Sequence, residues 1–250
     1  MFTFFSKTKE PIKLWFTTDI HAHVLPGVDD GSPDTETSLQ IVRGMHALGI
    51  RKILASPHIA RDTFENSQAV LDNALATLRG AMDEADFHGV EIDRHSENRI
   101  DDLLTENLAD GDAPAGNLRI LPDNHILIEN SFIQEPWDLD QLVFDISMRG
   151  LKPILAHPER YAYYHRNPKR YEELHTKMAF QVNVLSLAGY YGKHIKKMAE
   201  EMVEAGLVDF VGTDAHGMRH IRCFNEYLTT RDARRHARAL EPMIQNHIFD

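Results

Sequence analysis

The sequence predicts an α/β protein with a parallel sheet of the barrel type. Three observations predict it. Short apolar runs alternate with amphipathic helical patterns, the order that gives parallel strands joined by crossover helices. Each run is bounded by turn signals, as buried parallel strands are. Ligand-type side chains cluster just after the runs, at the end where barrel enzymes build their sites. A length of 250 residues suits one domain of this kind, spanning residues 1–250.

The elements follow in order. Residues 1–13 have a short apolar start, then charges and Pro11, and read as an N-terminal arm. That apolar start is too short for a signal peptide or a membrane span. Residues 14–18 (LWFTT) form a first strand leading into Asp19, His21 and His23. Ser32 is the expected N-cap of a helix with Pro33 at its first position. Leu39, Val42 and Met45 recur at helical spacing there, and Gly49 ends it. Residues 52–55 (KILA) run into His58, and residues 67–88 carry Val70, Leu71, Leu75, Leu78 and Met82 as one helical face. Residues 125–128 (HILI) run into Glu129 and Asn130, and the following helix carries Leu139, Leu142, Val143 and Ile146 up to Gly150. Residues 153–156 (PILA) run into His157 and Arg160. Residues 179–184 (AFQVNV) carry Gln181 and Asn183, and a helix over 194–205 ends at Gly206. Residues 208–212 (VDFVG) run into Asp214 and His216, and residues 232–245 give a last helix.

Composition narrows the function. Hydrophobic residues make up 42% and charged residues 26%, enough for a sizeable core and unlike a disordered chain. The net charge of −11 disfavours nonspecific binding to nucleic acid. The single cysteine, Cys223, excludes an intrachain disulfide and a cysteine-based zinc site.

The 15 histidines carry the argument through their placement. His21 and His23 stand two residues apart at a strand end, where both side chains can converge on one ion. His58, Glu129, His157, Asp214 and His216 repeat that strand-end position. Imidazole with carboxylate suits zinc, manganese or iron rather than calcium. Several bridging carboxylates favour a multinuclear centre of the kind that holds both oxygens of a phosphoryl displacement. Asp19, His21, His23 and Asp30 read as one wall of it, with Asp29 the weaker member of the Asp29–Asp30 pair. Asp19 is expected to orient a ligating histidine. His46, His88, His165, His175, His194, His236 and His247 read as surface or packing residues, and His125 as structural. His95 and His220 stay open, as do Asn183, Ser186 and the loop tyrosines Tyr161, Tyr163, Tyr164, Tyr190 and Tyr191.

The stretches DIHAHVLPGVDDG, KILASPHI, ILIENSF, GLKPILAHPERY, FQVNVLSLAGYYG and VDFVGTDAH, in that order, cover most of the chain. They resemble the PHP (polymerase and histidinol phosphatase) superfamily. Within it they are most similar to the CpsB/YwqE-type manganese-dependent protein-tyrosine phosphatases of capsule and exopolysaccharide loci. The resemblance implies a distorted (β/α)7 barrel and three divalent ions per chain, manganese foremost, with iron or zinc as alternatives. It implies His21, His23, Asp30, His58, Glu97, Glu129, His157, Asp214 and His216 as metal ligands. Glu97 takes the place of a bridging glutamate, although His95, Ser96 and Asn98 differ from the family's usual Ala-Glu-Tyr surroundings. Arg160 and Arg219, with Arg222 as the alternative to the latter, are implied to bind the phosphate. A planar guanidinium suits that dianion. The implied substrate is a phosphotyrosyl protein, such as a tyrosine autokinase tail. That would place a cytoplasmic enzyme near the inner membrane face without membrane insertion. Two other readings remain: a small-molecule phosphatase such as histidinol-phosphate phosphatase, and a non-catalytic binding module. Cys223, in HIRCFNEY, lacks the His-Cys-x5-Arg setting of a cysteine phosphatase, so water is the expected nucleophile.

Overall fold

A computed structural model describes residues 10–250; the expected N-terminal arm falls mostly on residues outside that range. The chain runs β1 (Thr18–Asp19), α1 (Thr35–Leu48), β2 (Lys52–Ala55), β3 (His58–Ile59), α2 (Gln68–Glu84), β4 (Glu91–Arg94), β5 (Glu97–Arg99) and α3 (Asp102–Ala109). It continues through β6 (His125–Glu129), α4 (Leu139–Met148), β7 (Lys152–Ala156), α5 (Pro168–His175), β8 (Ala179–Asn183) and α6 (Val184–Ala188). The last elements are α7 (Lys193–Ala205), β9 (Phe210–Gly212), α8 (Met218–Leu228) and α9 (Arg231–Leu240).

All strand pairs are parallel, in two ladders ordered β1-β2-β4 and β3-β5-β6-β7-β8-β9. The ladders are two parts of one sheet. Lys52 pairs with Glu91 and His58 with Glu97, so the register is unchanged across the break. His95 N donates to Ala55 O (2.9 Å) and Glu97 N to Pro57 O (3.1 Å), which carries the ladder through. Pro57 has no N–H to give, and the strand kinks there. With β2/β3 and β4/β5 each taken as one kinked strand, the nine strands make seven staves. The outer staves close on each other: Asp214 N donates to His21 O (2.7 Å), His23 N to Ala215 O (3.0 Å), and Ala22 bridges Ala215. A helix follows every stave, giving the expected distorted (β/α)7 barrel.

Period-two alternation sorts the side chains. Ile126 and Ile128 pack towards the helices, whereas Leu127 joins Ile20, Leu54, Ile154, Ala156 and Phe210 in a second cluster inside the barrel. Glu129 shares the inward parity of Leu127. On β8, Phe180 and Val182 pack outward, so Gln181 and Asn183 take the inward face. Burying each large aliphatic side chain contributes about 1.5–3 kcal/mol. A one-residue slip would reverse every position, so the same packing that holds the sheet aims the polar groups.

The opposite end is sealed by the C-terminus. Asn246 Nδ2 donates to Thr18 O (2.9 Å) and Val211 O (2.8 Å), and Asn246 Oδ1 accepts from Val211 N (3.0 Å). Phe249 then packs on Phe210 and His125, with ring centroids 5.5 and 5.3 Å away. His125 is structural, as expected.

Several expected boundaries shift. Of residues 14–18 only Thr18 is in a strand; Leu14 and Phe16 are buried instead among the helices, Phe16 stacked on Phe224. Asp34, not Ser32, caps α1, accepting from Thr37 N at 2.8 Å, because Ser32 instead donates to Asp34 O and accepts from Ser38. The last helix stops at Leu240, five residues short of the expected end.

Candidate metal centre

Six of the seven stave ends deliver ligand-type groups to one cleft. The first gives His21 and His23, with Asp30 on the loop after it; the second gives His58 and the third Glu97. Glu129 ends β6, His157 follows β7, and Asp214 and His216 follow β9. Glu97 is the hub. Its Oε2 lies 3.3 Å from His21 Nε2, 3.3 Å from His23 Nε2 and 3.1 Å from His58 Nδ1, and its Oε1 lies 3.1 Å from His157 Nε2. Asp214 Oδ1 is a second meeting point, 3.5 Å from both His21 Nε2 and His23 Nε2 and 3.3 Å from His216 Nδ1. Asp30 Oδ1 is 3.5 Å from His58 Nε2 and 3.4 Å from His216 Nε2.

Four overlapping groups result: His23, Asp30, His58 and His216; His21, His23 and Asp214; His21, Glu97 and His157; and His58, Glu97 and Glu129. Within each, the ligand atoms lie within 4.8 Å of one another. The residues read as ligands from the sequence are therefore brought together. A cation fits them. His21 Nε2, His23 Nε2 and Glu97 Oε2 are buried and have no hydrogen-bond partner, a state that buried polar atoms rarely keep. These atoms face one another, each Nε2 3.3 Å from Glu97 Oε2, and imidazole with carboxylate is the donor set of manganese, iron or zinc.

The electrostatics agree. Burial holds the His58 and His157 imidazoles down to about 4, leaving neutral rings that can act as ligands. Burial also acts against a charged His21, yet the Glu97 and Asp214 carboxylates outweigh it and raise His21 to about 9. The centre thus has an excess of negative charge that calls for positive charge. Burial, reinforced by the Glu97 charge, lifts Glu129 to about 8 against the pull of Arg99. The backbone is held in the left-handed region at His157 (φ 35°) and Asp214 (φ 50°). Non-glycine residues keep that conformation where the surroundings over-determine it, typically at functional sites.

The cleft encloses about 520 Å³ and is lined by Thr63, Phe64, Arg99, Phe132, Arg160, Tyr191 and His220 besides all the ligand-type residues except His21 and His23. Arg160 Nη1 donates to Asp214 Oδ2 (2.7 Å), and its guanidinium lies between the Phe132 and Tyr191 rings, 4.8 and 4.4 Å from their centroids.

Residues 17–225 match the family described as Capsular polysaccharide synthesis, CpsB/CapC. The chain belongs to the CpsB/CapC family. It is 34% identical over 202 residues to the tyrosine-protein phosphatase YwqE of Bacillus subtilis (strain 168), covering 80% of this chain and 78% of that protein. It is 27% identical over 207 residues to the tyrosine-protein phosphatase CpsB of Streptococcus agalactiae, covering 80% and 83%. Its fold resembles a solved chain described with YwqE from Bacillus subtilis and CpsB from Streptococcus pneumoniae, unique metal-dependent tyrosine phosphatases. That match has a TM-score of 0.74 at 29% identity and covers 91% of this chain and 95% of the other.

In this CpsB/CapC chain the supporting residues differ from expectation. Asp19 touches no imidazole: it accepts from Thr213 Oγ1 (2.6 Å), Thr213 N (3.1 Å) and His21 N (3.1 Å), tying the first stave to the last. The orienting carboxylate is Asp29, 2.8 Å from His23 Nδ1, and the partner of His21 Nδ1 is Gln181 Oε1 at 2.5 Å. Gln181 Nε2 donates to Asn183 Oδ1 (2.9 Å), and Asn183 Nδ2 donates to Asp214 Oδ2 (2.7 Å). Ser186 Oγ donates to the buried Glu159, whose carboxyl burial lifts to about 7. His95 lies beneath the centre, its Nε2 2.9 Å from Ile20 O, and joins none of the four groups. His220 lines the cleft and accepts from His216 N at 3.1 Å.

Arg219 and Arg222 are not among the cleft-lining residues; the Arg219 guanidinium lies over Tyr190, 5.3 Å from its centroid. Tyr161 and Tyr164 serve packing, whereas Tyr191 meets both Arg160 and Asp214. Arg99 and Phe132 went unread in the sequence, because neither stands in a ligand-like pattern.

Proposed function

We propose that the chain is a metal-dependent protein-tyrosine phosphatase of capsule or exopolysaccharide synthesis. The observation that carries this reading is Glu97, a buried carboxylate set among four imidazoles at the floor of a cleft with Arg160 on its wall. The names of YwqE and CpsB as tyrosine-protein phosphatases support it, as does coverage of more than three quarters of each.

His21, His23, Asp30, His58, Glu97, Glu129, His157, Asp214 and His216 are the proposed ligands of three divalent ions, with manganese the proposed metal. Such ions neutralise phosphoryl charge and lower the pKa of water when bound. The chain's own groups supply the positioning. Arg160 keeps Nε and Nη2 for the phosphate while Nη1 is held by Asp214, and the two flanking rings fix its plane. Phosphoryl transfer depends mainly on such positioning and on charge stabilisation, and a fixed guanidinium provides both. Arg219, whose guanidinium lies over the Tyr190 ring, is the proposed second guanidinium. The tyrosyl leaving group, a phenol with a pKa of about 10, departs with less need of a proton than an alkyl alcohol. Phe132 presents a ring edge or face to that aromatic group.

The proposed partner is a phosphotyrosyl protein such as a tyrosine autokinase tail, met at the cytoplasmic side of the inner membrane. Among the described residues no helix is long and apolar enough to cross a membrane. The test is turnover of a phosphotyrosyl peptide, a phosphoseryl peptide and histidinol phosphate by chelator-treated protein, with and without added manganese. Manganese-dependent release of phosphate, fastest from the phosphotyrosyl peptide, is expected. Faster release from histidinol phosphate would favour a small-molecule phosphatase, and no release from any substrate would refute a phosphatase.

A further inference from the structure

The loop of residues 131–138, between β6 and α4, combines an active-site wall with an exposed apolar surface. Phe132 stacks on His157 at 5.6 Å and flanks Arg160. The next residue, Ile133, is 87% exposed, and Trp137 is 93% exposed. Scattered exposed hydrophobic residues need no explanation, but Phe132, Ile133 and Trp137 stand within six residues of one loop. Among the described residues, five of the seven large hydrophobics that stand exposed lie between Phe132 and Met148.

The loop is also fastened in place. Arg170 on α5 donates from Nε and Nη2 to the two oxygens of Glu135, at 3.0 and 2.8 Å. Tyr163 Oη donates to Ser131 O at 2.9 Å. A bidentate pair and a tyrosine anchor therefore hold Ile133 and Trp137 out in water rather than letting them fold against the barrel.

We propose that this loop is a docking ledge for the peptide on either side of the phosphotyrosine, with a preference for aliphatic or aromatic neighbours. The inference rests on the phosphatase reading and deepens it. The occupant follows from continuity: a phosphotyrosyl ring beside Phe132 leaves its own chain passing over the residue next to Phe132. A small phosphomonoester ends at the cleft and never reaches the ledge, so Ile133 and Trp137 separate protein substrates from small ones. Apolar contact at a preorganised surface costs little ordering, which is how a few side chains come to dominate recognition.

The experiment compares the manganese-loaded wild type with an Ile133→Ser/Trp137→Ser double variant. The substrates are p-nitrophenyl phosphate and two phosphotyrosyl peptides, one with Leu and Phe beside the phosphotyrosine and one with Ser and Gly. Wild type should prefer the apolar peptide. The double variant should lose roughly tenfold in kcat/KM on it, about 1.4 kcal/mol, and keep its rate on p-nitrophenyl phosphate. Equal rates on the two peptides in wild type would overturn the ledge, as would an unchanged peptide rate in the variant. So would a change in sedimenting mass without a change in peptide rate, which would make the patch a contact between copies. If wild type turned over none of the three substrates, the phosphatase reading itself would fail, and the ledge with it.

Discussion

His21 illustrates how much of the centre rests on residues that never face the cleft. Its Nδ1 meets Gln181 Oε1, so the ring proton sits there and the Nε2 lone pair turns to Glu97 and Asp214. Gly212 makes room for this, since a Cβ there would stand 2.6 Å from His21 Cβ and 2.9 Å from Gln181 Nε2. Gln181→Leu should remove the acceptor while filling a similar volume. We predict a drop of about 10–100-fold in manganese affinity with the fold retained, measured by calorimetric titration and circular dichroism. Unchanged affinity would remove Gln181 from the role of orienting His21. The ligand-type residues were legible because they stand at strand ends in motif order. Their supports were not. The sequence points to Asp19 as the orienting carboxylate, and only the turn that brings Asp29 back onto His23 gives that place to Asp29. Gly31 permits that turn, for a Cβ on it would lie 2.3 Å from His23 O.

At the scale of elements, β2, β6, β7, β8 and β9 lie within two residues of their expected positions, because each is a run of apolar residues between turn signals. The third stave, β4 with β5, was not legible. Its sequence EIDRHSENR looks polar, yet Arg94 is buried, with Nε and Nη2 on Asp72 Oδ1 at 2.9 and 2.6 Å. An ion pair between buried Arg94 and the exposed Asp72 carboxylate stands in for apolar packing there, and no periodicity reports it. Closure of the barrel was equally silent, since Asn246 is one asparagine in an unremarkable tail. Its side chain makes three buried hydrogen bonds between β1 and β9. Asn246→Ala leaves three backbone groups without partners, at about 1–3 kcal/mol for each buried group left unsatisfied. We predict destabilisation by at least about 3 kcal/mol in urea unfolding of the metal-free protein. A midpoint within error of wild type would show that the barrel closes without this tie.

On the scale of the whole molecule, the closed ring of seven staves gathers groups from positions 21 to 216 into one centre. The kinks at Pro57 and at His95–Ser96 distort the sheet at the point where His58 and Glu97 turn inward. His95 and Glu97 share that segment, but only Glu97 reaches the imidazoles, while His95 faces the backbone of Ile20. Glu97 is the residue on which the proposed centre turns: it would hold ions that the other ligands could not keep together without its charge. The most direct test is elemental analysis of metal per chain, read with turnover of a phosphotyrosyl peptide, in wild type, Glu97→Ala and His95→Ala. The proposed set of three ions should give about three per chain in wild type, with loss of metal together with activity in Glu97→Ala and metal retained in His95→Ala. Wild-type metal content and turnover in Glu97→Ala would contradict it.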